Sequence, residues 1–288
     1  MTTRVHVLGS GTPTPTPERF GTAFAIEVDD ELIMVDCGPA TTWKLVRAGF
    51  RPTDVSTLFF THHHFDHNVD YPCFLLTRWD QGAGLVEPLE VIGPHPTTRL
   101  TDRLVGPDGA FADDIEARVQ APPSQHVYQN RGGTLPRLKP VVQTQDITAG
   151  FTRETERWTV RSAPAEHVQP YLESVAYRFD TAAGSVVFTG DTQPCDTITE
   201  LARGADLLFC MCWDLDERMV ESGEDTGQCG VDGAARTAEA AGVGTLVLVH
   251  TGPHISTDEV RQAALERAGA IFGGRTVFAD ELSSYDLT

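Results

Sequence analysis

The stretch Thr61-His62-His63-His64-Phe65-Asp66-His67 places four of the chain's ten histidines and one aspartate within six positions. Neutral imidazoles and a carboxylate are the ligands that borderline divalent metals such as zinc take. A lone histidine is as a rule a surface residue or a satisfied core residue. Four of them with an aspartate in one turn read as a metal-binding cluster. His62 and His64 lie two apart, the spacing that faces one way in extended backbone, while Asp66 and His67 come round a bend toward a second point. His63, between them, is expected to point away and to be structural.

The cluster follows an apolar, β-branched run, Val55 to Phe60, that reads as a buried strand. It precedes Asn68 to Leu76, which reads as the opening of a helix. A strand-to-helix turn makes side chains converge. One such turn cannot fill two metal sites, so further ligands are expected at other strand ends. His167 follows the strand Trp158 to Ala163, Asp191 follows Val186-Val187-Phe188, and His250 ends Leu246 to Val249. Loops at one end of a sheet are where sites gather. Asp36 ends another strand, where it either orients a ligand histidine or caps the helix read over Thr41 to Ala48.

The remaining pattern supplies the frame. A hairpin is expected over Gly21 to Val28 and Glu31 to Asp36, strands over Pro140 to Ile147, Ser174 to Phe179, Ser185 to Phe188 and Asp206 to Cys210, and helices over Thr98 to Leu104, Thr197 to Arg203, Val231 to Ala241 and Thr257 to Ala268. Strands lead and helices follow within each half, which predicts two similar units packed sheet to sheet with helices outside. Residues 105–137 are looser, with a short helical piece over Phe111 to Val119, and read as a lid-like insertion near the cleft mouth. His95 and His126, in this region, read as surface or pocket-wall residues. Tyr71, Phe74, Trp79 and Trp213 are candidates to line a pocket, with core packing as the commoner role. Gly9-x-Gly11 lacks the third glycine and following helix of a dinucleotide loop.

At 288 residues and 40% hydrophobic content, 1–288 is expected to form one domain. No apolar run reaches membrane-spanning length, the first residues carry no signal-peptide pattern, and six scattered cysteines suit a reducing compartment. A cytoplasmic protein is the expectation. The net charge of −19, from 22 basic and 41 acidic residues, repels phosphate backbones at long range. It argues against nucleic acid and for a small-molecule substrate. Base rates for enzymes give a homo-oligomer, a dimer, as the expected assembly.

His62-x-His64-x-Asp66-His67 with His167, Asp191 and His250 resembles the ligand set of the metallo-β-lactamase superfamily. Leu8-Gly9-Ser10-Gly11-Thr12-Pro13, Val35-Asp36-Cys37-Gly38 and Gly190-Asp191-Thr192 are similar to its ribonuclease Z-like branch. The resemblance spans roughly Arg4 to His250. It implies an α/β (α+β) fold, a four-layer αββα sandwich, with two divalent ions: zinc first, with manganese or iron as alternatives for the same donors. By the family pattern His62, His64 and His167 hold one ion, Asp66, His67 and His250 the other, and Asp191 bridges. Two such ions acidify a water for attack on an electrophilic centre, with Asp66 holding the nucleophile.

Two departures from that pattern shape the expected substrate. Ribonuclease Z usually carries a Gly/Pro-rich arm between the third histidine and the bridging aspartate, whereas His167 and Asp191 here are 24 residues apart (191 − 167). The family's Glu-His pair, which protonates a leaving group, is replaced by Met211 and Gln228. His254 is then the candidate substitute donor. The resulting expectation is a dinuclear hydrolase acting on a small ester-like or aryl-substituted molecule. A phosphodiesterase or tRNA 3′-processing endonuclease is the first alternative. A di-iron oxidoreductase or a non-catalytic partner subunit is the second.

Overall fold

The structure, a computed structural model, describes residues 2–287. Six strands come first: β1 (Thr3–Ser10), β2 (Thr22–Val28), β3 (Glu31–Val35), β4 (Val55–Phe59), β5 (Leu89–Pro94) and β6 (Val142–Ile147). Seven more follow: β7 (Thr152–Glu154), β8 (Trp158–Pro164), β9 (Val175–Thr181), β10 (Gly184–Phe188), β11 (Leu207–Met211), β12 (Thr245–Val249) and β13 (Arg275–Phe278). The last, β14 (Ser284–Leu287), returns to the first group. They form two seven-stranded sheets, ordered β14-β1-β2-β3-β4-β5-β6 and β13-β12-β11-β10-β9-β8-β7. Each sheet is antiparallel on one side and parallel on the other, the change falling at β3 in the first and β10 in the second.

Between the sheets lies an aromatic core. Phe59 meets Tyr177 and Phe179 at ring-centroid distances of 5.3 Å, and Phe188 stacks on Phe209 at 5.1 Å. These rings carry the largest apolar burial and favour edge and offset contacts. The outer faces are covered by helices. On the first sheet α1 (Thr41–Arg47), α2 (Phe65–Asn68), α3 (Tyr71–Gly82) and α4 (Thr97–Val105) enclose Leu45, Leu58, Phe60, Tyr71 and Phe74. Residues 105–137 fold largely as α5 (Ala112–Gln120) and α6 (Pro122–Asn130). On the second sheet lie α7 (Asp196–Ala202), α8 (Asp216–Ser222), α9 (Val231–Ala241) and α10 (Asp258–Ile271). The buried alanines 234, 235, 238 and 241 put a thin side on α9, which lets the helix lie close to the sheet. The result is the four-layer αββα sandwich.

Most expected elements are present within a residue or two. The helix read over Asn68 to Leu76 is instead two, α2 and α3, separated by Val69 and Asp70; β7 and α8 carry no clear pattern and were not anticipated. The expected lid-like insertion packs elsewhere than over the histidines. Its Arg118, Arg131 and Arg137 converge on Asp80 in the C-terminal half of α3. No helix among the described residues is long and apolar enough to cross a membrane.

Candidate metal centre

Strands β4, β8, β10 and β12 all end on one rim of the sandwich, and the chain turns there into the loops carrying His62, His167, Asp191 and His250. The structure brings all seven sequence-derived ligands together in two groups. In one, His62, His64, His167 and Asp191 present ligand atoms within 4.8 Å of one another; in the other, Asp66, His67 and His250 do the same. His64 Nδ1 faces His167 Nε2 at 3.2 Å. His250 Nε2 lies 3.2 Å from Asp66 Oδ2, and His67 Nε2 lies 3.6 Å from the same oxygen. Asp191 reaches both groups: Oδ2 is 3.8 Å from His62 Nε2 and 3.7 Å from His167 Nε2, while Oδ1 is 3.3 Å from His67 Nε2. Donors on a tetrahedral ion with bonds of about 2.0–2.1 Å stand about 3.4 Å apart, which is the spacing found here.

Orphaned atoms test the fit to metal. His62 Nε2, His67 Nε2, Asp66 Oδ1 and Asp191 Oδ1 are buried without a hydrogen-bond partner. Each costs about 1–3 kcal/mol if left unsatisfied, and all four belong to the residues of the two ligand groups. Burial, reinforced by neighbouring His67, holds His62 well below the ordinary imidazole range, and burial also lowers His64. Neutral imidazoles are the metal-ligating form. Asp191 is held well below the usual carboxylate range, since His250 and His67 outweigh its burial.

The ligands are fixed from behind. Asp36 Oδ2 accepts from His67 Nδ1 at 2.8 Å, and Thr61 donates to Asp36 through its N–H (2.8 Å) and its hydroxyl (2.9 Å). Asp36 therefore orients a ligand and caps no helix; α1 begins at Thr41, after Ala40. Gly38 permits this packing, because a Cβ there would sit 2.1 Å from the Asp66 carbonyl oxygen. Asp36 (φ 61°) and His250 (φ 51°) are non-glycine residues in the left-handed region, a backbone strain that collects at functional sites.

Several features were not read from the sequence. The Gly227 carbonyl accepts from His167 Nδ1 at 2.7 Å, and a Cβ on Gly227 would stand 2.2 Å from the His167 carbonyl oxygen. Only its glycine identity marked it. Asp214 accepts from His254 Nδ1 at 2.7 Å. Met211 Sδ accepts the Thr192 N–H at 2.9 Å and so buttresses the Asp191 turn. His63 turns away, bonding Thr97 Oγ1 at 2.8 Å, and burial pushes its pKa down to about 4. His95 pairs with Asp146 at 3.1 Å, and His126 is exposed. Tyr71 and Phe74 are core residues. Trp79 lines a cavity remote from the histidines, while Trp213 approaches His250 at 6.0 Å.

A ribonuclease Z from Mycobacterium sp. (strain KMS) is 34% identical over 259 residues, covering 88% of this chain and 85% of the relative. This chain belongs to the ribonuclease Z-like branch of the metallo-β-lactamase superfamily. Residues 110–251 match the model described as the beta-lactamase superfamily domain, and residues 3–71 match that of the anti-Pycsar protein Apyc1. The fold agrees with the metallo-β-lactamase fold protein YhfI from Bacillus subtilis (TM-score 0.72, 19% identity, 99% of this chain and 100% of that one). It agrees with the short form of human tRNase Z (TM-score 0.66, 19%, 99% of each chain). Zinc-bound PqqB from Methylobacterium extorquens shares it as well (TM-score 0.67, 15%, 99% and 100%). Membership makes the chain a hydrolase that uses divalent metal ions.

The expectation of a small-molecule substrate, with nucleic acid disfavoured, is overturned by these relatives, whose name is that of an RNA-cleaving enzyme. Net charge is a whole-surface sum. Phosphate binding depends on the charges that face the phosphates, and divalent ions held by these ligands would reverse the local sign.

Proposed function

We propose that this chain is a dinuclear zinc-dependent phosphodiesterase whose substrate is RNA. His62, His64 and His167 would hold one ion, Asp66, His67 and His250 the second, with Asp191 shared. Bound there, such ions acidify water to a pKa near about 7 and stabilise charge developing on a phosphate. The observation that carries the reading is the pair of orphan-bearing ligand groups joined through Asp191. RNA is supported by the relatives, and zinc by nitrogen and oxygen donors at tetrahedral spacing together with the zinc-bound neighbour.

The chain's own groups supply the rest. Asp66 Oδ1 has no partner, so it accepts a hydrogen bond from the attacking water and aims a lone pair at phosphorus. His254 is the proton donor to the leaving alkoxide. Its Nδ1–H is held by Asp214, which fixes the tautomer and leaves Nε2 to carry the transferred proton. It stands on the loop four residues beyond His250 with its side chain part-exposed. The interval between His167 and Asp191 holds β9 and β10 and has no room for an extended arm, so RNA is gripped by other surfaces.

The test pairs a structured precursor RNA bearing a 3′ extension with bis(p-nitrophenyl) phosphate and p-nitrophenyl acetate. Both phosphodiesters should be cleaved while the acetate stays near background. Turnover of bis(p-nitrophenyl) phosphate with the RNA left intact would sink the RNA assignment and keep the phosphodiesterase. His254→Ala should slow RNA cleavage by about 10²–10⁴-fold and barely change the nitrophenyl diester, whose leaving group needs no proton. Equal slowing of both would remove His254 from the donor role.

A further inference from the structure

An apolar cavity with no part in the metal centre lies at the other end of the first sheet. Leu89 and Val142, the first residues of β5 and β6, line a cavity of about 350 Å³ with Leu75, Trp79 and Tyr128. The metal ligands sit beyond the opposite ends of these parallel strands, a strand length of about 17 Å away. The cavity is therefore no extension of the catalytic cleft. Its volume falls in the range of small-molecule pockets, roughly 300–1,000 Å³.

Its wall is built by specific packing. A Cβ on Gly133 would lie 2.4 Å from the Tyr128 ring, and one on Gly84 2.8 Å from its hydroxyl. These two glycines let the ring seat. At the mouth Leu85, Leu138 and Val141 are 70%, 71% and 62% exposed. Large apolar side chains gathered round an opening mark a binding site.

Two arginines in and behind this wall differ in a telling way. Arg137 is buried, stacks on Trp79 at 4.1 Å and pairs with Asp80 at 2.9 Å. Arg78 is 7% exposed and donates Nε to the Val55 carbonyl at 3.2 Å. No carboxylate pairs with it among the described residues, and burial alone lowers its pKa. Glu87, the one acid in the cavity lining, makes no ion pair with it. Arg78 therefore lines the cavity as a mostly buried cation with no counter-charge, which an incoming anion would supply.

We infer that this cavity binds a small amphipathic monocarboxylate, its apolar body against Leu75, Trp79, Leu89 and Tyr128 and its carboxylate on Arg78. Octanoate is the probe, with octan-1-ol and octylamine as neutral and cationic matches of the same length. Calorimetry and Trp79 fluorescence should show saturable binding of one octanoate per chain, with both matches at least tenfold weaker. Arg78→Met should weaken octanoate at least tenfold. Val141→Trp, at the exposed mouth, should abolish binding with melting temperature and metal content unchanged, which guards against misfolding of the Arg78 variant. Equal binding of octanoate and octan-1-ol, or octanoate binding retained in Val141→Trp, overturns the proposal. So does a dimer that Val141→Trp dissociates in a protein showing no octanoate binding, since the apolar mouth would then belong to a second copy.

Discussion

The two ligand groups are alike in chemistry and unlike in setting. Asp66, His67 and His250 are all buried, and His67 is backed by the fully buried Asp36 carboxylate. The other group keeps partial exposure at His64 and His167, and its histidines are backed by neutral partners, the Gly227 carbonyl on His167 and the Thr61 hydroxyl 3.1 Å from His62 Nδ1. A buried charged partner holds an imidazole more firmly than a loop carbonyl does. That contrast predicts that an ion in the closed group would be held the longer and one in the open group would exchange the faster.

Removing the shared ligand should erase the distinction. Asp191→Ala is expected to cut phosphodiester turnover by at least about 10³-fold, the order seen when a group acting at the reacting centre is lost, and to lower metal content in both groups by elemental analysis. Asp36→Asn should separate them. It weakens metal affinity of the closed group by about 10–100-fold and of the open one less, since Asp36 reaches His62 only through the Thr61 hydroxyl, so a metal titration would resolve one weak and one tight ion; two ions weakened equally would refute the division. The smallest effect is kinetic. A chelator should strip metal in two phases, the faster one assigned by its loss in His64→Ala; a single phase would mean that exposure does not order the two groups.

The clustering of the candidate ligands was legible because a metal site needs rare residue types at positions that strand periodicity already marks. His167, Asp191 and His250 each follow an apolar β-branched run, and the sheets carry those run ends to one rim. The supporting groups were less legible for a physical reason. Gly227 acts through a carbonyl that every residue has, and Asp214 is one of 41 acidic residues, significant only because the β12 loop delivers His254 to it. The insertion was misplaced because its looseness says nothing about which surface it covers; three arginines on Asp80 decide that. The substrate was misjudged because a sum of charges carries no positions.

Each ligand group draws on both sheets. His62 and His64 hang from β4 while His167 and Asp191 follow strands of the other sheet, and His250 from β12 completes what Asp66 and His67 begin. Neither half of the chain owns a full coordination sphere, so ion capture must await the meeting of the halves. Cations bound there would act as rivets through the sandwich, and every tenfold rise in free metal above its dissociation constant would add about 1.4 kcal/mol per site against the halves coming apart.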